Sequence, residues 1–197
     1  AAKFMREDRS AEVVLLNKGD DISYAGCGLP YYIGNVIPKK EQLIVNTPAQ
    51  YAKLTGVCVH TQTEAVGIDP DKKEVTGVNM ATGERICYSY DKLAICTGAS
   101  PVKPPIKGCD LQNVFFVRTP DDAIRVREAI DTGRIRRAAV VGAGYVGLEV
   151  AENLAQRGIQ TMVLDMAPHA LPGFDGEMAV YAERMLKEAD IPVVTGV

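Results

Sequence analysis

The chain has 197 residues, of which 47% are hydrophobic and 24% charged, enough apolar content for one large domain or two small ones. A net charge of −3 leaves no basic excess to neutralise phosphates, which argues against nucleic-acid binding. No apolar stretch approaches the roughly 20 residues of a membrane span and no secretory leader is legible, so no membrane association is expected and the cytoplasm is the default compartment.

Ala1 to Arg9 reads as an amphipathic helix, followed directly by a strand from Glu12 to Leu16. Alternation and turn residues from Val57 to Tyr90, with turns at Asp69-Pro70-Asp71 and Thr82-Gly83, predict several short antiparallel strands. Cys58, Cys87 and Cys96 fall in the strand-like runs Val57–Val59, Ile86–Tyr88 and Leu93–Cys96, where a free cysteine is expected to pack as a small buried hydrophobe. Cys109 follows Gly108 in a proline-rich connection. With no CxxC pair and no cluster around His60 or His169, neither a metal site nor a disulfide framework is expected.

Thr119-Pro120-Asp121 reads as a helix entry, and a domain boundary is placed near Arg118. Helix and strand then alternate: Asp121–Ile130 as helix, Ala138–Val141 as buried strand, Tyr145–Arg157 as helix, Thr161–Leu164 as strand. A helix from Glu177 to Ala189 leads into a last strand after Ile191. The fold class is α/β, with two domains, 1–118 and 119–197. Both are expected to be incomplete, because a strand-loop-helix entry is missing before the first helix and the chain stops in a strand.

Within this pattern Gly142-Ala143-Gly144-Tyr145-Val146-Gly147 follows a buried strand and opens a helix, and Asp165 ends the next strand. The glycines serve three physical needs, namely a tight turn, close approach of backbone to a pyrophosphate, and packing of helix against strand. A carboxylate at Asp165 accepts hydrogen bonds from an adenosine ribose and repels a 2′-phosphate, so NADH is expected rather than NADPH.

Cys27 stands between Gly26 and Gly28, with Pro30 in what reads as the first turn of a short helix and Gly34 as its C-terminal cap. A sulfur near a helix N-terminus is favoured as thiolate, the nucleophile toward a disulfide or peroxide, whereas a glycine-flanked cysteine taken alone is more often a structural residue. No second cysteine follows within five residues. Chemistry there runs through a single sulfur, by way of a mixed disulfide or a sulfenic acid.

The run Ser23-Tyr24-Ala25-Gly26-Cys27-Gly28-Leu29-Pro30-Tyr31-Tyr32-Ile33-Gly34 is similar to the single-cysteine flavin disulfide reductases. So are Tyr90-Asp91-Lys92-Leu93-Ala94-Ile95-Cys96-Thr97-Gly98-Ala99-Ser100-Pro101 and Gly142 to Glu149. Coenzyme A-disulfide reductase, NADH oxidase and NADH peroxidase belong to that group. The resemblance implies electron flow from NADH through FAD to Cys27, and then to a small-molecule disulfide, persulfide, peroxide or oxygen. It implies catalytic roles for Cys27, for Tyr145 as a lid over the nicotinamide site, and for Glu149 beside it. FAD contacts fall to Asn17, Lys18, Ser23, Ala65, Thr97 and Gly98, and NADH contacts to Gly142, Gly144, Tyr145, Val146, Gly147 and Asp165. Arg6 and Ser23 match coenzyme A-contacting positions, and a guanidinium suits a phosphate. Asn17 departs from the pattern, standing where the family usually has a glutamate for the FAD ribose. Cys-Gly-Leu-Pro-Tyr is closer to the coenzyme A-disulfide and persulfide reductases than to the oxidases. An NADH oxidase or peroxidase, and a non-catalytic nucleotide-binding fragment, remain the alternatives. The family resemblance also implies that domains 1–118 and 119–197 are Rossmann-like three-layer domains of the FAD/NAD(P)-binding type, and that the parent protein is a homodimer.

Overall fold

In a computed structural model describing residues 1–197, the elements run α1 (Ala2–Glu7), β1 (Val14–Leu16), α2 (Leu29–Ile33), α3 (Pro48–Thr55), β2 (Cys58–His60), β3 (Thr63–Asp69), β4 (Glu74–Asn79), β5 (Arg85–Ser89), α4 (Pro120–Asp131), β6 (Arg137–Val141), α5 (Tyr145–Gln156), β7 (Gln160–Asp165), α6 (Gly176–Glu188) and β8 (Val193–Thr195). They form two compact units, Ala1–Tyr24 with Ile44–Ala99 and Ala25–Leu43 with Ser100–Val197. Compactness therefore divides the chain differently from a single cut near Arg118. The reason is packing: Leu29, Tyr32, Ile33 and Leu43 share one core with Ala123, Val126 and Ile130 of α4 and Val150 and Leu154 of α5.

In the first unit β1 lies parallel to β2, with Val14 opposite Cys58 and Leu16 opposite His60. The alternating run after it folds into the antiparallel sheet β3-β4-β5, as its pattern predicts. A register shift between Ala65 and Gly67 marks a bulge at Val66. Helix α1 is shorter than its amphipathic pattern, because the Asp8 carboxylate accepts from the Ser10 N–H at 2.9 Å and the Ser10 hydroxyl at 2.6 Å. That local turn competes with continuing the helix. Thr47 starts α3 with a capping box to Gln50, and Gly56 ends it at φ +76.

Four sequence expectations in these segments fail. Cys58, Cys87 and Cys96 are exposed rather than buried. On β5 the pattern puts Ile86 and Tyr88 on the covered side and leaves Cys87 on the bare one, since an antiparallel sheet needs only one covered face. Leu93 to Cys96 forms no strand; the whole stretch from 91 to 100 is exposed and makes no ladder.

In the second unit β6, β7 and β8 form a parallel sheet in that order, linked by α5 and α6, which is the β-α-β-α-β half of a Rossmann-type fold. Val141 lies opposite Leu164, and Asp165 opposite Thr195. Thr119 caps α4 with Asp122, and Ala123, Val126 and Ile130 form its buried stripe at helical spacing. A second cluster of Ala143, Ala151, Val163, Ala170 and Ile191 seats α5 against the sheet, and Leu186 of α6 packs onto it. Each fully buried Val, Leu or Ile contributes roughly 1.5–3 kcal/mol before conformational entropy is counted.

Candidate dinucleotide and thiol site

The glycine loop joins β6 to α5, and its three glycines differ in what surrounds them. Gly142 has φ +112, a backbone that side chains rarely adopt, and makes the tight turn. A Cβ on Gly147 would lie 1.9 Å from the Gly142 carbonyl oxygen, so this glycine lets the helix sit on the turn. A Cβ on Gly144 would meet nothing within 4 Å. That open space lies at the N-terminus of the twelve-residue helix α5, whose N-cap makes no side-chain hydrogen bond. Backbone N–H groups there are available to a pyrophosphate.

The loop is held from several directions. The Gly142 N–H donates to the Leu164 carbonyl at 2.8 Å, and the fully buried Ala143 accepts from the Leu171 N–H at 2.8 Å. Asp165 accepts from the Ala143 N–H at 2.5 Å and from the Ala167 N–H at 2.7 Å. These bonds, the one from Ala143 foremost, hold the Asp165 carboxyl below the ordinary aspartate range. A carboxylate offers about four lone-pair sites, so capacity remains for ribose hydroxyls. Open space at Gly144, free helix-terminal donors and a fixed carboxylate fit the adenosine diphosphate part of a dinucleotide.

Tyr145 and Val146 begin α5 and are 64% and 54% exposed, so neither packs in the core. The Tyr145 ring meets Phe174 edge-on at 5.8 Å between centroids. Glu149, one turn further on, is half-buried.

Cys27 lies in a short 3₁₀ turn, Gly26–Gly28, that leads straight into α2, with Pro30 in the first turn of that helix. Its thiol is exposed, whereas Gly28, Leu29 and Pro30 behind it are buried. Gly28 is tight, its would-be Cβ 2.9 Å from a Leu43 methyl. Gly34 follows α2 as expected, but its φ of −71 is not the left-handed cap. What requires glycine there is space, because a Cβ would lie 2.0 Å from Oδ1 of Asn153 on α5. Asn153 was not legible as a site residue; the available signal is a lone amide within the apolar stripe Val150, Ala151, Leu154.

The remaining expected residues lie in the first unit. Asn17 follows β1 and turns its Nδ2 to the Gly19 carbonyl at 2.7 Å, which leaves its carboxamide oxygen as acceptor. The Lys18 ammonium pairs with Glu64 at 2.7 Å. Ala65 is exposed on β3 beside the bulge, Ser23 is half-buried, and Thr97 and Gly98 lie in the exposed extended segment, Gly98 at φ +70. An acceptor oxygen, a cation and an exposed strand backbone fit the adenosine end of a flavin dinucleotide. Arg6 lines an open depression of about 400 Å³ with Met5, Arg9, Leu54 and Gly56.

Together the β-α-β-α-β half and its glycine loop define a dinucleotide-binding α/β oxidoreductase fold with an exposed thiol. The chain belongs to the pyridine nucleotide-disulphide oxidoreductase family, whose model matches residues 1–197. It is 34% identical over 195 residues to an NADH oxidase of Methanocaldococcus jannaschii, covering 98% of this chain and 43% of that one. A coenzyme A disulfide reductase of Staphylococcus haemolyticus is 35% identical over 164 residues, 83% of this chain and 37% of the relative. The crystal structure of reduced Bacillus anthracis CoADR-RHD superposes with a TM-score of 0.96 at 35% identity, over 99% of this chain and 35% of that one. The chain thus spans about two-fifths of the length of the curated relatives it matches. No helix is long and apolar enough to cross a membrane.

Proposed function

We propose that this chain carries the dinucleotide and thiol centres of an FAD-dependent enzyme that passes electrons from NADH to Cys27 and on to coenzyme A disulfide or a related disulfide or persulfide. The observation that carries the reading is an exposed Cys27 on a segment packed into the same core as the helix that opens at the glycine loop. Residues 1–118 are assigned to FAD and 119–197 to NADH, in a cytoplasmic homodimer.

NADH is held by Gly142, Gly144, Gly147, the first-turn N–H groups of Tyr145 and Val146, and Asp165. FAD is held by Asn17, Lys18, Ser23, Ala65, Thr97 and Gly98. Bound flavin supplies a two-electron relay between dihydronicotinamide and sulfur. Tyr145, mostly exposed at the mouth of the loop, would move aside to admit the nicotinamide, with Glu149 one turn further on beside it. The Cys27 thiolate attacks one sulfur of the substrate disulfide, so a new S–S bond forms, the old one breaks, and one thiolate leaves to take a proton. Two electrons then cleave the mixed disulfide, releasing the second thiol and restoring the Cys27 thiolate. NADH, one proton and one disulfide give NAD⁺ and two thiols. Arg6 and Ser23 contact the coenzyme A moiety, the guanidinium taking a phosphate.

The test is anaerobic incubation of the chain with FAD, NADH and coenzyme A disulfide, with free coenzyme A measured chromatographically. Two thiols per NADH are expected, and none from Cys27→Ser. Equal turnover by Cys27→Ser would overturn the reading. Peroxide or water formation with oxygen alone, at a rate matching the disulfide reaction, would select the oxidase alternative instead.

A further inference from the structure

Asn153 is 2% exposed, yet its Oδ1 is buried with no hydrogen-bond partner. Its Nδ2 donates to the Glu149 carbonyl at 2.8 Å, one turn back along α5. Its oxygen end is seated on Gly34, where a Cβ would stand 2.0 Å from Oδ1, 2.7 Å from Cγ and 2.8 Å from the Asn153 Cβ. An orphaned buried carbonyl costs free energy that a leucine at this position would not. Stability therefore does not account for the amide.

What the amide does is join two elements of the site. Glu149 fixes one end of the carboxamide, and the other end fills the gap opened by glycine behind α2, the helix that Cys27 leads into. The same C-terminal end of α2 is anchored by two arginines as well. The Arg157 guanidinium donates to the Ile33 carbonyl at 3.2 Å, and Arg127 donates to the carbonyls of Tyr32 at 3.3 Å and Ile37 at 3.1 Å while lying 4.5 Å above the Tyr32 ring. With its last turn fixed to α4 and α5, α2 follows the position of α5.

We propose that Asn153, seated on Gly34, is a positioning residue that couples dinucleotide binding at the start of α5 to the placement of the Cys27 thiol. This rests on the reading that NADH binds at the glycine loop. Binding there pins the first turn of α5; the Glu149 carbonyl, Asn153 and Gly34 carry that restraint to α2.

The test uses the whole chain. Alkylation of each cysteine by iodoacetamide is followed by peptide mass spectrometry, without NADH and at saturating NADH, so that Cys58, Cys87, Cys96 and Cys109 serve as internal references. NADH is expected to slow Cys27 by about fivefold or more, within the usual range for coupled sites, and to change the reference cysteines far less. In Asn153→Leu the NADH affinity, measured separately by calorimetry, stays within about twofold while the effect on Cys27 disappears. Asn153→Ala, which removes the amide without adding volume, gives the same result should leucine prove too large. Full NADH protection of Cys27 in either variant means that the ligand merely shields the thiol, and overturns the proposal. So does bound NADH without any effect on wild-type Cys27. Absence of NADH binding altogether overturns the dinucleotide reading itself, a distinct result in the calorimeter.

Discussion

Gly144 and Gly147 stand three residues apart in one loop, and replacing each by alanine separates space kept for a ligand from space used for packing. At Gly147 the new methyl lies 1.9 Å from the Gly142 carbonyl oxygen, 3.0 Å from its carbon and 3.5 Å from a Val140 methyl. Ordinary contact begins near 3.4 Å, so α5 must retreat by 3.4 minus 1.9, about 1.5 Å, or the turn must open. Overpacking against backbone belongs at the upper end of its usual cost, about 2–3 kcal/mol. For a chain of this size that corresponds to a fall in Tm of roughly 4–12 °C. At Gly144 the methyl meets nothing within 4 Å, and φ −79, ψ −178 suits alanine, so stability shifts by about 1 kcal/mol or less. With NADH bound as proposed, the same methyl would stand in the path of the pyrophosphate, and NADH affinity should fall by about tenfold or more, 1.4 kcal/mol. Differential scanning fluorimetry reads the first quantity and calorimetric NADH titration the second. Unchanged NADH affinity in Gly144→Ala, or a wild-type Tm in Gly147→Ala, would refute the assignment of these spaces.

Asp165→Asn should lower Tm at neutral pH, because the amide offers one acceptor oxygen where the carboxylate serves both Ala143 and Ala167. The folded carboxyl titrates below its ordinary value, so its contribution is complete above about pH 3.9 and is lost as pH falls through the lower folded value. Thermal melts across that range should show the two proteins converging on the acid side, and a constant gap would contradict the bonding described. Arg127→Met keeps the aliphatic stem but abandons the carbonyls of Tyr32 and Ile37 and the Asn35 side chain, and should cost about 2–3 kcal/mol in urea denaturation. Cys27→Ser should leave urea stability within about 0.5 kcal/mol of wild type, since the thiol is exposed. A large loss there would mean that Cys27 is a packing residue.

The dinucleotide half was legible because its signals are local. A buried strand, three glycines at fixed spacing and an acid at the next strand end each follow from short-range geometry, and β6, α5 and β7 formed within a residue or two of where periodicity put them. Cysteine burial was not legible, because it depends on which face of a sheet is covered, and a strand's own sequence does not carry that for Cys87. Leu93 to Cys96 has the composition of a strand without a neighbour to pair with. Gly34 was legible as a glycine with a purpose but for a different reason: the sequence suggests a left-handed cap, whereas the structure shows close packing by Asn153, a residue 119 positions further along. Contacts at that separation have no signature in one sequence. The grouping of residues 25–43 with the later unit is of the same kind, set by the shared core of α2, α4 and α5.

Cys27 is proposed as the sulfur through which electrons from NADH leave the flavin, and everything else in the mechanism depends on it. Its most direct measurement is the visible spectrum of the chain after incubation with FAD and desalting, followed anaerobically through addition of NADH. The expected result is a retained flavin that bleaches with NADH and develops a long-wavelength thiolate-to-flavin band, absent in Cys27→Ser. A protein that retains flavin and is reduced by NADH with the same spectrum whether residue 27 is cysteine or serine would contradict it.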